Sequence, residues 1–306
     1  MILLYHLVFP DSTPKDTWNA GKVLRLADFK RQLNWLKRRY KMLSLEEYLD
    51  NFLADAEDRQ RSIALTFDDG YRRTFDLVSP FLIDNGIPAT FFVSTAHLEG
   101  EGLLWFVYFN ALCFEGAYES LRIEDENYLL DSEKACTLAW RSLIALARES
   151  GDAIGFSHRY EQRYPLTDHV IQRYLGLTEE QLSGFKDAPD LDLGGHTHRH
   201  PYLDQISAQD QLAEMQKNKA ILEDLSGQPV RYFAYTGGVY DQTSIEMAKQ
   251  VGFEAAFAVQ PKYLGDDPRF EMPRTDIYAP SLLKLWGKVS GIAPMAKKLR
   301  IRGFRA

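Results

Sequence analysis

The chain has 306 residues, with 36 basic and 43 acidic side chains and a formal net charge of −7. No apolar run approaches the length of a membrane-spanning helix, and no nucleic-acid motif accompanies the charge, so neither a spanning segment nor nucleic acid is expected. Cys113 and Cys136 form neither a framework nor a CxxC pair, and the length allows one large α/β domain or two ordinary ones.

Met1 to Val8 is apolar, lacks a basic leader and is soon ended by Pro10-Asp11. It reads as a first strand and not as a signal peptide. Asp28 is placed to cap a helix running to about Tyr40, with Phe29, Leu33, Leu36 and Tyr40 on one face. Ser44 with Glu47 makes a capping box for a helix to about Phe52. The charged run from Asp55 to Arg61 reads as a surface link.

Ser62-Ile63-Ala64-Leu65 is then a short buried strand, and it runs into Thr66-Phe67-Asp68-Asp69-Gly70. Two adjacent carboxylates at a strand end repel each other and resist desolvation unless something positive sits beside them. A metal is one remedy: one carboxylate ligates it while the other stays free to take a proton. A solvated Asp-Asp-Gly turn is the plain alternative.

Residues 74–85 look helical despite Pro80 and end at Asn85-Gly86, and Pro88 to Ser94 is a further strand. From about Gly100 to Leu177 the alternation breaks off. This insertion is rich in aromatics, among them Trp105, Tyr108, Trp140 and Tyr164, and Ser132 to Ser150 reads as an amphipathic helix. The aromatics fit the core of a small, largely helical subdomain. They also fit a lid or sugar-stacking wall, for which Trp105 is the leading residue.

Thr178 with Gln181 caps a helix before the strand Leu191-Asp192-Leu193-Gly194-Gly195, which leads into His196-Thr197-His198-Arg199-His200-Pro201. His-x3-His is a metal-ligand spacing, and the flanking glycines and proline make it a loop. Asp69 with His196 and His200 offers one oxygen and two nitrogens and leaves positions for water, the pattern of a catalytic site. One divalent ion is expected there, zinc first, with cobalt or nickel as alternatives.

Ser207 to Leu225 reads as a long helix, Arg231 to Tyr235 as a strand entering Thr236-Gly237-Gly238, Asp241 to Val251 as a helix and Glu254 to Val259 as a strand. A buried Arg231 is placed to neutralise and orient Asp68, against the plainer reading of a surface arginine. Each motif falls at the carboxyl end of an expected strand, where barrels and open parallel sheets both keep their sites.

Taken in order, Thr66-Phe67-Asp68-Asp69-Gly70, His196-Thr197-x-x-His200 and Arg231-x-Phe233-x-x-x-x-Gly238 resemble the three motifs of the polysaccharide deacetylases, the family-four carbohydrate esterases. Tyr235 and Thr236 depart from the prolines common in the third motif, and Gly237 departs from its aromatic. The resemblance implies a distorted, incomplete (β/α) barrel of seven strands over residues 1–276, interrupted by the insertion. It implies hydrolysis of an N-acetyl group on an N-acetylhexosamine-containing glycan. Asp68 would act as base, Asp69, His196 and His200 as metal ligands, Arg231 as the partner of Asp68, and the Gly237 N–H as oxyanion donor. Tyr235 and Trp105 would contact substrate.

The family's late Leu-x-His, which carries the general acid, is missing: no histidine follows His200. Leu4-Tyr5-His6 stands instead at the end of the first strand, which neighbours the last in a closed barrel. In this the chain is similar to permuted poly-N-acetylglucosamine deacetylases, and His6 is expected to protonate the leaving amine. The family's supporting acidic and aromatic pair is not identified. Asp276, after Pro273-Arg274, is a poor match for it.

From Ile277 onward the chain holds seven of the basic residues and none of the acidic ones. A basic tail at 277–306 suggests contact with an anionic membrane surface, and with no leader the expected location is cytoplasmic, peripheral at the inner face. Rival readings are an amidohydrolase-type barrel, a non-catalytic glycan-binding relative, and a deacetylase of lipid-linked or nucleotide-linked sugars.

Overall fold

The structure, a computed structural model, describes residues 1–14, 18, 23–54 and 61–290. Strand β1 (Ile2–Tyr5) is followed by a short parallel ribbon of β2 (Val8–Phe9) and β3 (Leu24–Arg25), then α1 (Leu26–Lys37), β4 (Lys41–Leu43) and α2 (Leu45–Leu53). Next come β5 (Ser62–Phe67), α3 (Arg72–Asp84) and β6 (Ala89–Val93).

The insertion holds α4 (Trp105–Glu115), a hairpin of β7 (Ser120–Ile123) and β8 (Glu126–Leu129), then α5 (Glu133–Glu149), α6 (Ala153–Glu161) and α7 (Asp168–Tyr174). After α8 (Glu179–Ser183), the alternation resumes with β9 (Leu191–Gly195), α9 (Ala208–Ser226), β10 (Tyr232–Ala234), α10 (Gln242–Val251), β11 (Ala255–Ala258), β12 (Met272–Asp276) and α11 (Leu282–Val289).

Seven strands close into a parallel barrel in the order β1-β12-β11-β10-β9-β6-β5, with β4 added on β5. Closure runs through β1, which pairs with β5 on one side (Ile2 opposite Ala64, Tyr5 opposite Phe67) and with β12 on the other (Ile2 opposite Arg274). The seven strands and the barrel class are those the family resemblance implies. The ladder runs all the way round, because the first strand fills the gap between the last and the second.

Side chains alternate across each strand with period two. Ile2, Ala64, Phe92, Tyr232, Phe257 and Met272 fill the barrel interior, and α2 joins that cluster through Leu45, Tyr48 and Leu49. The opposite parity, including Leu3, Leu65, Phe91, Leu193 and Phe233, packs under the surrounding helices.

The local signals mostly act where the sequence puts them. Ser44 and Thr178 form their capping boxes with Glu47 and Gln181. Helix α1 instead begins at Leu26 with Arg25 as its cap, so Asp28 sits in the first turn, where its charge faces the helix dipole. Pro80 is tolerated inside α3 on its exposed side. Trp105, Phe109, Leu112, Leu143 and Phe156 give the insertion a core of its own, as the subdomain reading has it, although the β7–β8 hairpin was not expected.

Helix α11 buries Leu285 and Val289 against the barrel's outer core while Leu283 and Trp286 face outward. The basic residues from Lys297 onward lie outside the described residues. Among the described residues no helix is long and apolar enough to cross a membrane.

Candidate active site

At the carboxyl ends of the strands, Asp68 and Asp69 directly follow β5, and the loop after β9 carries His196 and His200. Asp69 Oδ1 stands 3.4 Å from His196 Nε2 and 3.5 Å from His200 Nε2. All three ligand atoms lie within 4.8 Å of one another, and all three residues are buried.

The backbone is bent to bring them together. Asp69, Thr197 and His200 adopt φ of 70°, 58° and 60°. A non-glycine residue in this region costs about 1–3 kcal/mol, and such strain persists only where surrounding contacts enforce it. Those contacts are present. The His200 N–H donates to Thr197 Oγ1 at 3.0 Å, and the Trp105 indole donates to the His200 carbonyl at 2.9 Å. Asn218 on α9 accepts from the His196 N–H at 3.0 Å and donates to the Val93 carbonyl at 2.8 Å. The two glycines before His196 make room: a Cβ at Gly194 would meet the Phe92 ring at 2.3 Å, and one at Gly195 the Asn218 amide at 2.9 Å.

These residues fit a zinc-sized divalent ion. His196 Nδ1 is engaged with the Ala234 carbonyl at 2.8 Å, which leaves Nε2 as the lone-pair nitrogen facing Asp69. Ligands about 2.0–2.2 Å from such an ion stand about 3.3–3.6 Å apart in a tetrahedral arrangement. The 3.4 and 3.5 Å separations match that spacing.

Asp68 belongs to a different partnership. Its carboxylate is gripped by Arg274 through two bonds of 2.7 Å each, with Arg274 Nη1 also 3.3 Å from Thr66 Oγ1. Burial opposes ionisation of Asp68, but the Arg274 guanidinium, with His196 and His6, outweighs it and holds the carboxyl below its ordinary range. Burial likewise opposes Asp69, and the adjoining His196, His6 and His200 side chains hold it well below that range. Burial and the neighbouring His196 push His200 down to about 4, so its nitrogen is available as a ligand. Burial, then the Asp69 charge, push the Tyr71 hydroxyl up, which keeps it a neutral donor to Asp69.

Arg231 is therefore not the partner of Asp68. It pairs with Glu46 on α2 at 2.7 Å, with side chains 27% and 58% exposed. The physical reason is parity and height. Tyr232 and Ala234 point into the barrel, so Arg231, of opposite parity and just before β10, points out near the strand's amino end. Arg274 shares the inward parity of Met272 on β12, and its long side chain rises through the interior to Asp68.

His6 does reach the site. Tyr5 lies opposite Phe67, so His6 stands level with Asp68 on the adjoining strand. Its ring stacks on Tyr278 with centroids 5.4 Å apart, and it lines the same cavity as Asp68 and Asp69. Two other histidines near the strand ends are committed elsewhere. His97 Nε2 bonds to the Leu177 carbonyl at 2.7 Å, and His198 turns away to Thr95 and Glu99.

The cavity has a volume of about 590 Å³, and Gly237 and Trp105 also line it. Trp105 is buried rather than displayed as a stacking wall, and its indole braces the His200 loop. Tyr235 borders the cavity, but its side chain belongs to the outer core. Its ring stacks on Tyr240 at 4.3 Å and its hydroxyl donates to the Phe270 carbonyl, so its polar group is engaged inside the protein. Sequence reasoning missed Arg274, Asn218 and Tyr71. For Arg274 a signal existed: six strands had been counted for a seven-strand barrel, and the seventh had to fall after Val259.

The polysaccharide deacetylase family model matches residues 55–127 and 160–256, more than half of the chain. YxkH of Bacillus subtilis (strain 168), which carries the same family name, is 24% identical over 119 residues, spanning 35% of this chain and 42% of the relative. Among solved structures, the Streptococcus pyogenes deacetylase PplD in complex with acetate aligns with a TM-score of 0.58 at 20% identity, covering 93% of this chain and 96% of that one. IcaB from Ammonifex degensii aligns with a TM-score of 0.57 at 17% identity, covering 94% and 95%. At these identities the structural likeness speaks for the fold, whereas the family model's match across both strand-end motifs assigns the chain: it belongs to the polysaccharide deacetylase family.

Proposed function

We propose that this protein hydrolyses the acetamido group of an N-acetylhexosamine unit in a glycan, releasing acetate, and that it needs one divalent metal ion, zinc first. The observation that carries this reading is the paired arrangement at the barrel mouth. A buried Asp69–His196–His200 ligand set stands beside an Asp68 that Arg274 keeps ionised and aimed. The family assignment and the fold shared with PplD, a deacetylase solved with acetate, support it.

A divalent ion held by Asp69, His196 and His200 supplies Lewis acidity, acidifying water and polarising a carbonyl. The chain's own groups do the rest. Asp68 accepts the proton of the attacking water, and its two bonds to Arg274 fix the carboxylate for that transfer. The Gly237 N–H is assigned to the developing oxyanion. Neighbouring amides are committed, since Tyr235 N–H donates to Phe257 O and Gly238 N–H to Tyr235 O. His6, across from Asp68, delivers a proton to the departing amine, which is a poor leaving group without it.

Acetate release from chitin-type and poly-N-acetylglucosamine-type oligomers tests the reading. Release that stops on chelation and returns with zinc supports it, and undiminished release by metal-free protein overturns the metal requirement. His6→Ala should keep fold and metal while kcat on N-acetylated oligomers falls by about 10²–10⁴. The loss should shrink on acetyl esters with good leaving groups, which depart unprotonated. A wild-type rate for His6→Ala on the amide would remove His6 from the mechanism.

A further inference from the structure

The insertion contributes part of the cavity wall, and two of its polar groups have no task inside the protein. Helix α4 presents Phe106 and Asn110 to the cavity, and α5 presents Trp140 and Ile144. Both pairs are spaced i, i+4, so each helix turns one face to the site. Asn110 is 1% exposed, yet neither its amide oxygen nor its amide nitrogen has a hydrogen-bond partner among the described residues. The same is true of the Trp140 indole nitrogen. Phe106 and Ile144, which share their helix faces, carry no hydrogen-bonding side-chain group.

A buried amide left wholly unpaired lowers stability, and a leucine of similar size would avoid the cost. Its position says what the amide is for. Phe106 lies 4.6 Å, centroid to centroid, from His200, and Asn110 is one helical turn further along the same face. The group it meets therefore belongs to the same ligand that reaches the metal-ligand set, about one sugar ring away from the reacting atoms. The amide torsion is broad, so the side chain can turn to a ligand without moving the helix.

We propose that Asn110 and Trp140 form a sugar subsite that reads two adjacent hydroxyl groups of the hexosamine whose acetamido group is cleaved. An amide offers a donor and an acceptor side by side, and two neighbouring hydroxyls offer the complement, while the indole adds one further donor. An anionic group is a poorer match, because the amide oxygen would face it. This subsite rests on the deacetylase reading above. It deepens that reading by making the insertion, rather than the barrel, the part that recognises the ring.

The test compares wild type with Asn110→Leu and Trp140→Phe on N-acetylglucosamine pentamers of both linkage types and on an umbelliferyl acetate ester, which carries no sugar. Thermal melting is measured alongside. Asn110→Leu should melt at or above the wild-type temperature. Its kcat/KM on the 1,6-linked pentamer, whose rings keep neighbouring hydroxyls at C3 and C4, should fall at least tenfold more than on the ester, chiefly through KM, with Trp140→Phe moving the same way to a lesser degree. Equal losses on that pentamer and the ester overturn the subsite, as does a melting temperature lowered by Asn110→Leu, which would make the amide structural. Ester cleavage by the wild type without acetate release from any pentamer is a different result: it overturns the glycan reading and the subsite falls with it.

Discussion

Asp69→Ala is expected to lose bound metal and deacetylase activity together, whereas Asp68→Asn is expected to keep the metal and lose activity. The two carboxylates are adjacent in sequence but serve different partners. Asp69 Oδ1 is the point shared by both histidine nitrogens, at 3.4 and 3.5 Å. Without it only two ligands remain, and a three-ligand catalytic site falls apart. His200→Ala should behave in the same way. Asp68 is held by Arg274, and an asparagine there keeps the shape but gives no base for the attacking water. Loss of a positioned general base costs about 10²–10⁴ in rate. Metal content by elemental analysis, read beside acetate release, checks the pair. If Asp69→Ala binds metal as wild type does, the ligand set is misassigned.

Arg274→Met is expected to cost both stability and rate, while Arg231→Met costs little of either. The Arg274–Asp68 pair is almost fully buried, with side chains 1% and 5% exposed. Removing one member of such a pair strands a buried charge and destabilises by about 3–5 kcal/mol. The stranded Asp68 regains protons because burial alone raises its affinity for them, so the base is lost and kcat should fall by about 10²-fold or more. Arg231 and Glu46 form a partly exposed pair, worth about 0.2–1 kcal/mol. Urea denaturation and acetate release on the two variants separate them. Comparable losses in both would mean that the β12 arginine is not special to the site.

The two arginines also show where legibility stopped. Thr66 to Gly70 and His196 to His200 were readable because each is a short run whose chemistry is local. An apolar strand ends in a turn, and the turn carries ligand types at ligand spacing. Arg231 opens the strand that enters the third, glycine turn, and its charge and its place in the third-motif resemblance made it the expected partner of Asp68. Nearness along the chain does not fix which way a strand residue points, and one residue of parity sends it out to Glu46 instead of in to Asp68. Strand β12 has a weak sequence signature, because Pro273 inside it lacks the N–H that a strand residue donates. The proline is exposed and its neighbours Met272 and Arg274 point inward, so the strand survives it and brings the arginine with it.

His6 lies between these cases. Its Leu-x-His context was visible, but whether the first strand touches the site depends on closure, and an open sheet would have left it at an edge. Pairing of β1 with both β5 and β12 decides the matter. Asn110 lay further out of reach, because a lone polar residue in the apolar run from Trp105 to Phe114 looks the same whether it is paired in a core or faces a cavity unpaired.

The sequence by itself determined the alternation of strands and helices, the capping boxes, the two acid and histidine motifs, and hence the family. All of these rest on contacts within a few residues, where propensity, periodicity and ligand spacing act. Only the tertiary structure decided that the ring closes through β1, that Arg274 rather than Arg231 holds Asp68, that Tyr235 packs on Tyr240, and that Asn110 waits unpaired beside the site. Each of those depends on strand register and side-chain parity between segments as far apart as Ile2 and Arg274, and a one-residue shift, invisible to composition and spacing, reverses the answer.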